Sequence, residues 1–249
     1  MTTTEQLVHV RISGEASATS EQWMDALDVW GCGADVIDLS EVAAHRGSLV
    51  AWAWDMYYNL HHSSERGKSE NAVLVHQEFG TVLIERHPLL TPLRLRTARK
   101  APLHAIKVLI RTHVTGSRIW DVATHAPAHV EGKGRLLPGW ASEVYRSVML
   151  GLTELTYGRR ADGRIISADW NLNVRRRWVR AYLRSLFPGT KPGWDFKSLP
   201  ERGTIGGHGR LIDGPRSDLP IAEHSVILKP MPGFKHRAVR TVYLLEGER

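Results

Sequence analysis

The chain has 249 residues, 42% of them hydrophobic and 24% charged, which excludes a globally disordered chain and suits one large α/β or sandwich domain. Its formal net charge of +7 favours polyanionic partners through long-range attraction and counterion release, although a basic protein with no nucleic-acid role has the same balance. A single cysteine, Cys32, excludes an internal disulfide and a cysteine-rich zinc site, and the 13 histidines include no HExxH spacing.

The N-terminus, MTTTEQLVHV, lacks a basic segment followed by an apolar core, and no stretch is long and apolar enough to span a bilayer. These features suit folding in a reducing cytoplasm. A virion protein would satisfy them equally.

In chain order, LVHVRIS (7–13) alternates as a strand does. Thr19-Ser20-Glu21-Gln22 offers a cap ahead of an apolar-periodic helix over 20–31, ended by Gly31 and Gly33. ADVIDLSEV (34–42) reads as a strand that delivers Glu41 at its end, and 47–60 as a helix rich in Trp and Tyr. Strands over 71–77 and 81–86 flank a turn at Glu78-Phe79-Gly80 and read as a pair. Strands over 104–114 and 118–126 read as a hairpin with Thr115-Gly116-Ser117 as its turn. A helix over 140–158, a strand over 163–169 and a helix over 173–187 follow. A Gly/Pro-rich loop spans 188–220, and strands over 223–229 and 238–245 close the chain. Hairpins alternating with helices predict mixed sheets covered by helices, and the absence of a linker predicts a single domain over 1–249.

Polar residues fall at the apparent strand ends. Glu41 ends DVIDLSEV, His125 ends IWDVATHAPAH, Asp169 and Asn171 sit in SADWNLN, Asp213 in GRLIDGP and His236 in PGFKHRAV. Strand ends gather at one rim of a layered fold, so residues remote in sequence can converge there. Carboxylates and an amide suit a hard divalent cation, and two histidines suit phosphate binding and proton transfer. Each also has a plainer reading: a solvated strand end for Glu41, a packed histidine, or Asn171 or Asn173 as the N-cap of the arginine-rich helix.

The ordered set resembles the endonuclease/exonuclease/phosphatase superfamily, the deoxyribonuclease-I-like fold, from residue 7 to about 245. ADVIDLSEV is similar to its glutamate segment and VATHAPA to its histidine segment. ISADWNLN is similar to GDxN, with Ala168 in place of glycine; RLIDGP resembles the later aspartate segment, and FKHRAV resembles SDHxxV. The resemblance implies an α/β (α+β) four-layer α/β/β/α sandwich. It also implies a Mg2+- or Mn2+-dependent phosphodiesterase or endonuclease. Glu41 would ligate the metal, His125 contact or protonate the phosphate, and Asp169 orient or deprotonate the attacking water. Asn171 would hold a phosphate oxygen, Asp213 would fix the tautomer of His236, and His236 would stabilise charge on phosphorus.

Two positions depart from the pattern. Arg11 stands where the family has its early asparagine, and Lys235 where it has the aspartate of SDH. Neither cation has a lone pair for a metal. Unit charges about 4 Å apart at an effective dielectric of about 20 repel by roughly 4 kcal/mol, and a divalent ion doubles that. Arg11 and Lys235 are therefore expected to stand in for the metal, pairing with Glu41 and Asp169. The alternative to an active hydrolase is a silent member of the fold that serves as a binding or structural protein, for which a bacteriophage particle is one setting.

Arg175, Arg176, Arg177, Arg180 and Arg184 lie on a helix whose apolar stripe is Trp178, Tyr182 and Leu186, with Leu183 and Phe187 near that face. They read either as a solvated face or as a phosphate-backbone track for nucleic acid or another phosphoester. Arg94, Arg96, Arg99 and Lys100 form a second basic run. The aromatic-rich segment 51–62 reads as core or as an interface with a protein partner.

Overall fold

The computed structural model describes residues 2–14, 17–63, 71–89, 104–128, 130–156, 161–192, 204, 210–227 and 229–248. The Arg94–Lys100 run lies outside the described residues. The elements are β1 (Thr2–Ser13), α1 (Ser20–Trp30), β2 (Val36–Ser40), a 3-10 turn (Ala43–His45), α2 (Arg46–Asp55), β3 (Tyr58–His62), β4 (Asn71–His76), β5 (Gly80–Pro88), β6 (His104–Arg111), β7 (Arg118–His125), α3 (Trp140–Thr156), β8 (Gly163–Asp169), α4 (Arg177–Leu186), β9 (Lys191–Pro192), β10 (Asp213–Ser217), β11 (Ile221–Val226) and β12 (Val239–Glu248).

The strands form two six-stranded mixed sheets, ordered β11-β12-β1-β2-β4-β3 and β5-β6-β7-β8-β10-β9. Each contains one parallel pair, β1–β2 in the first and β7–β8 in the second, with antiparallel neighbours. Alternation along each strand sorts its side chains into layers. Val10, Ile12, Ile37 and Leu39 pack outward with Trp23, Leu27 and Trp52 of the first pair of helices. Val122, Ile166 and Ala168 pack outward with Tyr145, Val148, Leu152, Val179 and Leu183 of the second pair. Between the sheets lie Leu7, Val36, Val73, Ile106, Ile119, Ile165 and Tyr243. The result is the four-layer α/β/β/α sandwich.

Local chemistry fixes the ends of these elements. Thr19 caps α1: its hydroxyl accepts from Gln22 N at 3.2 Å and Gln22 Oε1 accepts from Thr19 N at 2.9 Å, a reciprocal box that stabilises a helix start by about 1 kcal/mol. Gly14 ends the first strand beside Trp23. A Cβ there would lie 2.3 Å from the indole and 2.5 Å from Ser40 O, so only glycine lets strand and helix meet.

Four sequence expectations are corrected. The helix expected over 47–60 stops at Asp55, because Tyr57 takes a left-handed φ of 60° and Tyr58–His62 pairs with β4 as a strand. The strands over 71–77 and 81–86 are not a hairpin: β4 belongs to the first sheet and β5 to the second, so their turn crosses between sheets. The loop over 188–220 contains β9 and β10, and β10 completes the second sheet beside β8. The apolar face of α4 is centred on Val179 and Leu183, with Trp178, Tyr182 and Leu186 only partly buried at its flank.

Candidate active site

Strand register builds the site. His125 pairs with Asp169 across the parallel β7–β8 ladder, and Asp213 pairs with Asp169 across the antiparallel β8–β10 ladder. One row of the second sheet therefore carries His125, Asp169 and Asp213 side by side. In the first sheet Ser13 pairs with Ser40 at the ends of β1 and β2, and Glu41 follows directly. The sheets meet at this rim, where the Ser13 hydroxyl donates to Asp213 Oδ1.

Six sequence-predicted residues come together here. His236 Nδ1 lies 2.9 Å from Asp213 Oδ2 and 3.8 Å from Asp169 Oδ2. His125 Nε2 lies 3.7 Å from Asp169 Oδ2, and its Nδ1 lies 3.6 Å from Glu41 Oε1. Asn171 donates its amide to Ala126 O at 2.7 Å, and its backbone N–H donates to Asp169 Oδ1 at 2.9 Å. Asn171 is thus not the N-cap of the arginine helix. That position is Arg176, which makes no side-chain cap. Asn173 Oδ1 instead accepts from Arg175 N and Leu211 N.

The backbone at the site is unusual. The described non-glycine residues with positive φ are Glu41 at 63°, Tyr57 at 60° and Asn171 at 52°, and two of these three are site residues. A glutamate in the left-handed region costs about 1–2 kcal/mol. Surrounding contacts hold the conformation: Gly14 N donates to Ser40 O, Ala126 N to Asp169 O, Trp170 N to Ile212 O, and Tyr145 Oη to Trp170 O at 2.9 Å.

Electrostatics separates the acids. Burial, and then the charge of Asp213, push the Asp169 carboxyl up to about 7. Burial works against ionisation of Asp213 too, but His236 and the Ser13 hydroxyl outweigh it and hold that carboxyl below its usual range. Burial pushes the His125 imidazole down to about 4, against the opposing pull of Glu41 and with a further push from Arg11.

The two cationic replacements occupy different places. Arg11 is fully buried between the sheets, and its Nη2 donates to Thr124 O at 3.0 Å. Its charge acts on Asp169, Asp213 and His125. The expected pairing of Arg11 with Glu41 is corrected: among the described residues Arg11 makes no ion pair with Glu41, whose Oε1 lies instead 3.6 Å from His125 Nδ1. Lys235 is exposed beside His236.

No protein-family model and no curated protein matches the chain by sequence. Solved structures do match along nearly its whole length. A D. rerio TDP2 humanized by 14 mutations superposes with a TM-score of 0.71 at 12% identity, covering 96% of this chain and 98% of that one. The human Nocturnin catalytic domain gives 0.71 at 14%, covering 97% and 93%. An endonuclease/exonuclease/phosphatase family protein from Bacteroides thetaiotaomicron gives 0.70 at 11%, covering 98% and 96%. The chain has the endonuclease/exonuclease/phosphatase fold.

Within that fold the sequence pointed to the rim residues but not to their supports. Ser13, which donates to Asp213, and Thr204, whose hydroxyl accepts from Ile212 N at 3.1 Å and Asp213 N at 3.4 Å, were not anticipated. The period-two pattern His9, Arg11, Ser13 held the signal for Ser13; Thr204 had none. Arginines flank the site on the loop and helix after Asp169. Arg176 Nε pairs with Glu131 at 2.8 Å, and Arg210 Nη2 reaches the same carboxylate at 2.7 Å. Lys133, Arg176, Arg177, Trp178 and Ala181 line an open groove of about 630 Å3. Arg177 and Arg184 are exposed, and Arg175 and Arg180 are half-buried.

Proposed function

We propose that the chain is a divergent metal-dependent phosphodiester hydrolase. One observation carries this reading: the Asp213–His236 pair is aimed at Asp169, with His125 and Glu41 closing the same rim. The donors fit a hard divalent cation. Ligand atoms of Asp169, Asp213 and His236 lie within 4.8 Å of one another, and Asp169 faces a second buried carboxylate. Glu41 would hold Mg2+ or Mn2+, which would supply Lewis-acid stabilisation of charge on a phosphoryl oxygen.

The chain's own residues do the rest. Asp213 holds His236 through Nδ1, so hydrogen bonding to a phosphoryl oxygen falls to Nε2. Asp169, at about 7, has the basicity to take a proton from an attacking water near neutral pH. Asn171 has a second amide hydrogen for a phosphate oxygen, and His125 lies between the two halves of the site. Lys133, Arg176 and Arg177 form a track for a phosphate backbone. A related D. rerio TDP2 structure holds a single strand DNA product, and a mannosyl-6-phosphatase shares the fold, so nucleic acid and a smaller phosphoester are both substrate classes to test.

Arg11 favours a second reading, a silent scaffold for binding or assembly, because its fixed charge lies where it weakens a cation at Asp169. Calorimetric titration with Mn2+ separates the two. Saturable binding that disappears in Glu41→Ala supports the hydrolase. No binding to the parent chain, with binding gained in Arg11→Asn, supports the silent scaffold.

A further inference from the structure

We propose a second metal site, buried between the sheets and built from His9, Asp38 and Asp121, for a first-row divalent ion such as Zn2+. His9 comes from β1, Asp38 from β2 and Asp121 from β7, and all three are 0% exposed. His9 Nε2 points at both acids, 2.9 Å from Asp38 Oδ2 and 3.7 Å from Asp121 Oδ1. A tetrahedral ion with bonds of about 2.0–2.1 Å sets its donors about 3.3 Å apart, between those two separations. One imidazole nitrogen and two carboxylate oxygens match the preference of such ions for mixed N/O ligands. The ring of Tyr243 packs edge-on against His9, with centroids 6.3 Å apart, and fixes the imidazole plane.

An independent observation points to a ligand. Asp121 faces Asp38 closely enough to share a proton with it, but neither oxygen of Asp121 has any other donor among the described residues, and Asp38 Oδ1 and His9 Nδ1 are likewise unsatisfied. Buried polar atoms are seldom left so, and a carboxylate deprived of water needs a proton, a donor or a cation. The wider charge pattern agrees. Asp38, Asp121, Asp169 and Asp213 are all buried at or near the inter-sheet layer, and Arg11 is a permanent cation whose charge reaches all four. A divalent ion at His9 would offset Asp38 and Asp121 and leave Arg11 to the acids of the rim. All three residues are fully buried, so the site is structural: a second carboxylate oxygen, from Asp38 or Asp121, would complete the four donors, and the ion enters during folding and joins the two sheets.

The test is chosen to be blind to the rim site. The full chain carrying Glu41→Ala and Asp169→Ala, which breaks the ligand set at the rim, is produced in zinc-supplemented medium, dialysed against EDTA and assayed for bound metal. About one Zn2+ per chain is expected, retained in the native state and released in urea, with at least a tenfold loss in the additional variant Asp121→Asn. X-ray absorption at the zinc edge should show nitrogen and oxygen ligands and no sulfur, which keeps the proposal testable should Asp121→Asn not fold. Less than about a tenth of a Zn2+ per chain of this double variant would overturn the proposal. It would mean that a proton shared between Asp38 and Asp121 does the neutralising. Retention of full zinc in Asp121→Asn would overturn it equally.

Discussion

Glu41 and Asn171 show where this fold gives up stability for position. Both are held left-handed, which asparagine tolerates and glutamate does not. Glu41→Gly should raise stability by about 1 kcal/mol in urea melts while abolishing Mn2+ binding at the rim; a loss of stability would show that the glutamate side chain supports the fold. The Asp213–His236 pair has no such conflict with stability. His236→Gln should lower phosphodiesterase activity on a model diester by about 10²–10⁴-fold and also lower the melting temperature, because it leaves the buried Asp213 carboxylate without its imidazole partner. The rim residues were legible because a carboxylate, amide or imidazole just after an apolar run stands out. His9, Asp38 and Asp121 were not. Alternation of polar and apolar residues in VHVRIS is the same whether the polar face meets water or a second sheet.

At the level of elements, the sequence was informative where periodicity was long and silent where pairing was non-local. The helices α1, α3 and α4 and strands β1, β2 and β6 to β8 follow from their patterns. β10 does not: Asp-Gly-Pro-Arg-Ser has little strand propensity, and Pro215 is tolerated because the short β9 pairs only with Arg216 and Ser217. The β4–β5 turn was misread because local turn chemistry does not say which sheet each strand joins. The arginine loop and helix make a separate prediction. Arg177→Glu should weaken binding of a single-stranded oligonucleotide about tenfold and reduce the log–log salt slope by about one or two. Unchanged affinity at low salt would make the arginines a solvated face.

For the whole molecule, acid should act through half-buried histidines. Burial pushes His61 down to about 4 and His224 down to about 3, whereas both titrate near 6.5 in the unfolded chain. Their neutral forms are favoured by folding, so the stability they contribute is complete above about pH 6.5 and is lost as pH falls toward 4 and then 3. His61→Gln combined with His224→Gln should flatten the decline in melting temperature between pH 7 and pH 4.5. An unaltered slope would assign acid sensitivity to other groups.

If six side chains from the two sheets make one phosphoester-hydrolysing site, plasmid nicking with Mn2+ will report it. The parent chain should nick, EDTA should stop it, and Asp169→Ala should reduce the rate by about 10²-fold or more at unchanged fold. Traces from the parent and Asp169→Ala that cannot be told apart, together with no cleavage of a small model diester, would contradict the claim.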